Sequence, residues 1–322
     1  MTREIGWDEI QRDASSVVTV GTFDGVHRGH QAILSFLCER ADALGGTPTV
    51  LTFDPHPRSV VRNADVPLLT TIDERARALE QAGVARMVVL PFTHELAQYD
   101  PEAYVRDVLW ETIGLQMIAV GYDHRFGRDR GGDVALLRAM GANLGFTVEE
   151  IPPQSEDNAV ISSTRIRAQI AEQGAVDDAA RLLGRRYTLT GTVEQGDQRG
   201  RTIGFPTANI GVRDARSCIP KNGVYATRVH GAALAHPHVG MCNIGVRPTF
   251  DGRTPTIEVH LLDFEGDLYE ETLCVEFVQR LRDEVKFDSV DALKAQLSKD
   301  RAHCIRVMEA ARPLTTSLSG CV

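Results

Sequence analysis

Residues 21–30 read GTFDGVHRGH and connect an apolar run, SVVTVG at residues 16–21, to a helical pattern that stops at Gly45. A buried strand that turns directly into a helix places this decapeptide at a helix N-terminus, where unpaired N–H groups and the helix dipole attract anions. Glycines at positions 21, 25 and 29 let the backbone approach a ligand closely, because glycine has no Cβ. His27 and His30 add two side-chain donors, so the stretch predicts a phosphate-binding turn.

Two other interpretations of this stretch stay open at the level of sequence. His27 and His30 could bind zinc, but the segment supplies no third ligand and is a glycine-rich turn, which is unusual for a zinc site. A surface turn with exposed histidines is the second alternative. It explains neither the three glycines nor the position directly after an apolar strand.

The segments around this turn alternate between strand and helix patterns. Strands are predicted at residues 49–53, 86–92, 116–121 and 147–151, and helices at residues 72–82, 101–113 and 134–144. This alternation predicts a doubly wound α/β fold with a parallel sheet, whose ligands bind at the carboxyl ends of the strands. Two further helices are predicted at residues 164–172 and 176–183, and Gly184 marks a boundary.

The pattern changes beyond Gly184. Short strands are predicted at residues 187–194, 223–229, 238–244, 256–263 and 272–278, followed by a helix over about residues 290–308. Such strands, separated by turn residues, are typical of a small antiparallel β-barrel. The predicted domains are therefore residues 1–184 and 185–312, with a flexible tail at residues 313–322.

Composition narrows the classes of function. The 322 residues carry a net charge of −9, which argues against non-specific binding to nucleic acid. No apolar stretch approaches the roughly 20 residues that cross a bilayer, and the polar start lacks a signal core, so a cytoplasmic location is expected. Six scattered cysteines without a C-x-x-C pair predict unpaired thiols. Arginines beside Gly, Ser or Thr suit local anion pockets, although solvated surface arginines are an equal alternative.

A second glycine-rich stretch, GTVEQGDQRGRTIGFPTAN, occupies residues 191–209. Its glycines and arginines predict another phosphate-binding arch, and Thr207 and Asn209 offer the oxygen ligands that Mg²⁺ prefers. A glycine-rich hairpin is the alternative. In the strand that follows at residues 256–261, alternation places Glu258 away from the core, where a carboxylate is usually only solvated.

The first decapeptide resembles the G-x-F-D-G-x-H-x-G-H signature of the FAD synthetase branch of the HxGH nucleotidyltransferases at all seven fixed positions. Three further stretches are similar to that family: ISSTRIR at residues 161–167, TFDPHP at residues 52–57 and GYDHRFGRDRGGD at residues 121–133. The resemblance implies catalytic roles for His27 and His30. It implies ATP contacts for Gly21, Phe23, Asp24, Gly25, Gly29, Ser163, Thr164 and Arg167, and flavin contacts for Pro55, His56, Pro57 and Asp123. One departure is His124, where the family usually has Phe.

The second half resembles the riboflavin kinases in its G-R-x-x-G-F-P-T-A-N run at residues 200–209. NIGVRPTF at residues 243–250, EVHLLDF at residues 258–264 and LRDEVKFDS at residues 281–289 are also similar to that family. The resemblance implies that Glu258 is the catalytic base and that Thr207 and Asn209 hold Mg²⁺. It implies ATP contacts for Gly196, Gly200, Arg201, Gly204, Pro206, Thr207 and Asn209. Glu270 departs from the usual Gly.

Together the two resemblances imply a bifunctional riboflavin kinase/FAD synthetase. Riboflavin and ATP would give FMN in the C-terminal barrel, and FMN and ATP would give FAD and pyrophosphate in the N-terminal domain, with Mg²⁺ in both reactions. The expected partners are these small molecules, with no nucleic acid or membrane, and the chain is expected to be a monomer or weak homo-oligomer. Two alternatives stay open: a nucleotidyltransferase for another acceptor, such as a pantetheine or nicotinamide phosphate, and a non-catalytic flavin sensor.

Overall fold

A computed structural model describes residues 1–121, 124–151, 155–156, 159–196, 199–249 and 252–311. The chain divides into two compact units, Met1–Ser162 and Ser163–Val322. The helices just after residue 162 count with the second unit because they bond to it; the Lys221 N–H donates to the Ile170 carbonyl over 3.0 Å. The functional boundary at residue 184 stays a prediction, and the predicted tail lies outside the described residues.

The first unit is built on a six-stranded parallel sheet. Its strands are β1 Thr2–Ile5, β2 Ser16–Val20, β3 Thr47–Phe53, β4 Arg86–Leu90, β5 Leu115–Gly121 and β6 Thr147–Ile151. Its helices are α1 Arg28–Leu44, α2 Pro57–Arg62, α3 Ile72–Gln81, α4 His94–Ala97, α5 Pro101–Ala103 and α6 Val134–Leu144. A short antiparallel pair, β7 Ser155–Glu156 and β8 Ala159–Val160, follows.

The strand order β1-β4-β3-β2-β5-β6 confirms the predicted doubly wound sheet. After β2 the chain builds β3 and β4 on one side, and it later returns to place β5 on the other side of β2. Ligands of such sheets bind beyond the carboxyl ends of the strands where the winding reverses. The glycine-rich turn after β2 therefore lies at the expected position.

The predicted helix at residues 101–113 is present but changes its hydrogen-bond pattern along its length. α5 continues as a π-helical segment, Tyr104–Ile113, and the Gly114 N–H donates to the Leu109 carbonyl five residues earlier over 3.2 Å. A wider turn of this kind is not readable from hydrophobic spacing. Val105 and Leu109 are still buried in the core, so the predicted apolar face is retained.

The second unit contains a closed six-stranded antiparallel barrel. Its strands are β9 Thr188–Glu194, β10 Ala208–Val212, β11 Gly223–Gly231, β12 His238–Thr249, β13 Gly252–Leu261 and β14 Thr272–Arg282. Their order is β10-β13-β12-β11-β14-β9, and β9 pairs with β10 to close the barrel. Its helices are α7 Ser163–Arg167, α8 Val176–Leu183, α9 Arg199–Thr202 and α10 Val290–Ala310, and a π-helical segment, Ala168–Gln173, follows α7.

Helix α10 covers one side of the barrel. The Ser289 hydroxyl accepts from the Ala292 N–H and caps the helix at its start. Cys304 and Val307 of the helix pack with Met241 and Val278 of the barrel in one apolar cluster. This contact explains the apolar stripe predicted for this helix.

None of the helices within the described ranges is long and apolar enough to cross a membrane. Four cysteines, Cys38, Cys218, Cys242 and Cys304, are free thiols, as the sequence predicts. Cys274 is disulfide-bonded, so the expectation of unpaired thiols is wrong for this residue.

Candidate active sites

The turn after β2 has an unusual backbone. Phe23, Gly25 and Val26 have φ angles of 46°, 84° and 39°, in the left-handed region. A β-branched residue such as Val26 rarely adopts this conformation, and strained residues of this kind concentrate at ligand-binding loops. The Val26 N–H donates to the Phe23 carbonyl over 3.0 Å, which closes the turn tightly before α1 begins.

Asp24 holds this turn in place from the inside. Its carboxylate is fully buried and accepts from the backbone N–H groups of Leu69 and Thr70, each over 3.0 Å, and from the Thr70 hydroxyl. The same hydroxyl oxygen accepts from the Gly25 N–H over 2.9 Å, and Arg75 lies 3.8 Å from the carboxylate. This position makes Asp24 an anchor for the turn.

His27 and His30 lie together at the start of α1. Their rings stack with centroids 3.6 Å apart, and the His27 Nδ1 accepts from the His30 backbone N–H over 3.2 Å. Because Nδ1 accepts this bond, the neutral His27 ring carries its proton on Nε2 and can donate to a ligand only there. A Cβ at position 29 would lie 3.2 Å from His27 Nδ1, which explains the glycine between the two histidines.

The residues predicted to contact flavin follow β3. Pro55 is exposed and Pro57 begins α2, whereas His56 is buried and caps that helix, with its Nδ1 accepting from the Arg58 N–H over 3.1 Å. His124, the departure from the family pattern, has its ring 5.8 Å from the Phe126 ring. Asp123 lies outside the described residues.

Three predicted ATP-binding residues, Ser163, Thr164 and Arg167, lie in helix α7 of the second compact unit. The Ile166 side chain of this helix is buried, while Ser163 and Arg167 are partly exposed. Hydroxyl and guanidinium groups in the first turns of a helix are suited to phosphate.

Glu258 lies in the middle of β13 with an asparagine opposite it on each side. It pairs with Asn209 of β10 in one ladder and with Asn243 of β12 in the other. Its strand neighbours Ile257 and Val259 are buried inside the barrel, whereas Glu258 is partly exposed. The alternation predicted from the sequence is therefore confirmed.

Glu258 and Thr207 line one cavity of about 280 Å³ on the outside of the barrel. Other polar residues in its lining are Asn243, His260, Arg282 and Glu284. Its apolar wall comprises Ile203, Phe205, Val224, Met241, Val285, Phe287, Leu293 and Leu297, and Gly200 completes it. A largely apolar cavity with a few converging polar groups is the usual form of a small-molecule site.

A second, smaller pocket of about 80 Å³ also includes Thr207. Arg201, Pro206, Asp267 and Tyr269 are among the residues that line it. Thr207 is thus common to both pockets, so a group held at Thr207 could contact ligands in each.

The glycines of the arch are explained by close packing. A Cβ at Gly196 would overlap the Asn209 side-chain amide, and a Cβ at Gly200 would overlap the Phe205 carbonyl oxygen. Gly204 has a φ of 85°, which favours glycine. These glycines shape the arch around Thr207 and Asn209.

Several cavity residues were missed by the sequence-based site prediction. Asn243 and Arg282 lie within stretches that resemble the kinase family, which was an available signal, but spacing alone does not place them beside Glu258. Arg282 is held by Asp300 of α10 over 2.8 Å, and its guanidinium lies 5.8 Å from the Phe287 ring centroid. The ion pair connects strand β14 to the helix that closes the cavity.

A buried thiol near Glu258, that of Cys242, is held in its neutral form. Burial raises the pKa of the Cys242 thiol well above its usual range, and the nearby Glu258 charge raises this pKa further. Cys242 is therefore a neutral thiol at physiological pH. Glu258 and His260 are the ionisable side chains of β13 that line the cavity.

No group of three or more His, Cys, Asp or Glu side chains suited to a metal occurs in the part of the chain that the structure describes. The zinc interpretation of His27 and His30 therefore gains no third ligand there. A metal held by neutral oxygens and by ligand phosphates requires no such cluster.

The fold defines a class: two-unit proteins in which a doubly wound parallel sheet is followed by a closed antiparallel barrel, here with a glycine-rich arch beside a cavity of small-molecule type. Residues 9–165 match the family described as FAD synthetase, and residues 183–308 match the riboflavin kinase family. A protein of Pseudomonas fluorescens named bifunctional riboflavin kinase/FMN adenylyltransferase is 41% identical over 288 residues, covering 89% of this chain and 91% of that protein. A protein of the same name from Escherichia coli K12 is 38% identical, covering 88% and 90%.

The chain belongs to the bifunctional riboflavin kinase/FMN adenylyltransferase family. It is an enzyme that uses ATP to convert riboflavin to FMN and FMN to FAD. These matches support neither of the two alternatives that the sequence left open, a different acceptor and a non-catalytic sensor. A solved structure described as a macrolide-efflux protein from Streptococcus pneumoniae shares the fold, with a TM-score of 0.85 and 32% identity, covering 95% of this chain and 99% of that one. The term macrolide efflux comes from the description of that protein.

Proposed function

We propose that FMN forms in the 280 Å³ cavity, with Glu258 as the general base. The observation that supports this most is the shared lining, because the cavity contains both the carboxylate and Thr207. Glu258 takes the proton of the terminal ribityl hydroxyl. The freed oxygen forms a bond to the γ-phosphorus of ATP while the bond from that phosphorus to the ADP oxygen breaks, so ADP leaves.

The two pockets divide the substrates between them. The larger cavity has the apolar wall that an isoalloxazine ring needs, from Phe205, Met241, Phe287, Leu293 and Leu297. The smaller pocket has Arg201, which suits the phosphates of ATP. Thr207, at both pockets, lies where the γ-phosphoryl group would pass from one substrate to the other.

Thr207 and Asn209 are the residues that would hold Mg²⁺. Both offer neutral side-chain oxygens, Gly196 lets the arch pack directly against the Asn209 amide, and Glu258 stands opposite Asn209 in the ladder. A magnesium ion bound there would neutralise charge on the ATP phosphates. Gly196, Gly200, Gly204 and Pro206 shape the arch that places these two side chains.

FAD forms, in the same proposal, at the turn after β2. An oxygen of the FMN phosphate attacks the α-phosphorus of ATP, and the bond from that phosphorus to pyrophosphate breaks, so no enzyme nucleophile is needed. His27 Nε2, His30 and the N-terminus of α1 stabilise the charge on the phosphates. Ser163, Thr164 and Arg167 stay predicted ATP-binding residues on the strength of their motif.

The test is product analysis after incubation with riboflavin, ATP and Mg²⁺. We expect FMN and FAD by chromatography, and both should disappear when Mg²⁺ is removed with a chelator and return when it is restored. Thr207→Ala should lose FMN formation and keep FAD formation from supplied FMN. FMN formation by Thr207→Ala at the wild-type rate and wild-type Mg²⁺ dependence would contradict the assignment of this residue.

The cytoplasmic location, the lack of nucleic-acid and membrane partners, and a monomer or weak homo-oligomer stay predictions from the sequence. The net charge of −9 supports the expected lack of nucleic-acid partners.

A further inference from the structure

His260 clamps the loop that carries Thr207. Its Nδ1 lies 2.7 Å from the Pro206 carbonyl oxygen, which can only accept, so Nδ1 carries a proton and donates it. The His260 ring also meets the Phe205 ring at a centroid distance of 5.2 Å. His260 thus contacts the two residues directly before Thr207.

The register of the barrel explains why this clamp is needed. Strand β10 pairs with β13 through Ala208↔Val259 and Asn209↔Glu258, and this ladder includes neither Thr207 nor Pro206. Proline has no N–H to extend a ladder. Thr207 therefore lies between two fixed points, the backbone pairing at Ala208 and the side-chain bond from His260 to Pro206.

His260 and Glu258 lie two residues apart on the same face of β13, and both line the cavity with Thr207. A single strand thus carries the proposed base and the residue that fixes the loop opposite it. We propose that His260 is a positioning residue of the kinase site, which sets Thr207 relative to Glu258 through the Pro206 carbonyl. This inference rests on the proposed role of Thr207.

The test uses three variants that differ in where they can donate. His260→Asn places an amide N–H near the position of Nδ1, His260→Gln places one near Nε2, and His260→Ala has none. We expect His260→Gln and His260→Ala to slow FMN formation by about tenfold, as the loss of one positioning hydrogen bond allows. His260→Asn should retain most of the rate. FAD formation from supplied FMN should be unchanged in all three variants, which shows that the FAD site is intact, and unchanged circular dichroism and thermal unfolding show that the barrel folds.

Two readouts separate positioning from simple packing. Amide hydrogen exchange at Phe205, Thr207 and Ala208, measured without ligands, should be faster in His260→Gln and His260→Ala and near wild type in His260→Asn. Calorimetric titration with Mg·ADP should show weaker binding in the same two variants. Equal behaviour of Asn and Gln in both readouts would overturn the inference.

Thr207→Ala, measured in parallel, distinguishes failure of the proposed kinase site from failure of the proposed role of His260. If it retains the kinase rate and Mg²⁺ dependence, the proposed site fails. If it behaves as proposed while His260→Gln matches wild type, only the role of His260 fails.

Discussion

Glu258 shows how much a residue's role depends on its neighbours across the sheet. A glutamate on the outer face of a strand is normally a solvated charge, but here Asn209 and Asn243 stand opposite it and a cavity opens above it. The same strand contributes Val259 to the barrel interior, so the strand cannot shift register without burying the carboxylate. The position of the proposed base is therefore fixed by the core.

Replacing this carboxylate by an amide of the same shape should separate chemistry from binding. Glu258→Gln keeps the cavity but removes the proton acceptor, so FMN formation should fall by about 10²- to 10⁴-fold while riboflavin binds with unchanged affinity. Single-turnover kinetics and titration of flavin fluorescence measure the two quantities. A rate within a few-fold of wild type would mean that another group accepts the proton.

We expect the Asp24 carboxylate to stabilise the turn after β2. Asp24→Asn removes the buried charge that accepts from Leu69 and Thr70 beside Arg75, and the loss of one partner in a buried ion pair costs about 3–5 kcal/mol. We expect this loss in denaturant unfolding of the first unit, together with loss of FAD formation and retention of FMN formation.

Asp73→Asn is the matched control. Asp73 pairs with Arg3 on the surface over 3.1 Å, and such pairs contribute about 0–1 kcal/mol. Equal stability of the two variants would show that Asp24 does not anchor the turn.

At the scale of elements, helix α10 and strand β14 form one wall of the cavity. Arg282 ends β14, and its guanidinium binds both carboxylate oxygens of the buried Asp300 over 2.9 and 3.1 Å through Nε. Gln296 of the same helix donates to Asp300 over 2.8 Å. These bonds hold Leu293 and Leu297, one to two turns earlier in the helix, against the cavity.

Breaking the Arg282–Asp300 ion pair should weaken riboflavin binding more than it slows the phosphoryl-transfer step. Asp300→Asn should raise the Kd for riboflavin by about tenfold, since a loosened α10 no longer packs its leucines on the ring. Arg301→Ala is the control on the next residue, because its pair with Asp263 is exposed and contributes about 0–1 kcal/mol. Titration of flavin fluorescence checks both variants, and equal Kd values would contradict the role of the Asp300 pair.

At the scale of the whole molecule, the sequence predicted the two folds and most of their elements. Helix α6 and strand β6 match their predicted bounds because their apolar spacing is regular and their caps are local, such as Asp133 and Gly145. Strand β1 was missed, since its place depends on pairing with β4 and on the Glu4–Arg86 ion pair, 82 residues apart in sequence.

The candidate sites, like the folds, were predicted where local patterns determine them and missed where long-range contacts do. Motifs identified Glu258 and Thr207, but the cavity that joins them depends on strand register and on α10. The anchor role of Asp24 and the clamp by His260 depend on partners 45 and 54 residues away, respectively, which local patterns do not reveal.

The central claim is that the turn after β2 and the cavity beside Glu258 carry separate reactions, and a crossed pair of variants tests it most directly. Glu258→Ala should form no FMN yet convert supplied FMN to FAD, and His30→Ala should form FMN but no FAD. An equimolar mixture should convert riboflavin to FAD through released FMN, as chromatography of the products would show. If either variant, folded by circular dichroism, loses both reactions, the assignment of separate sites is contradicted.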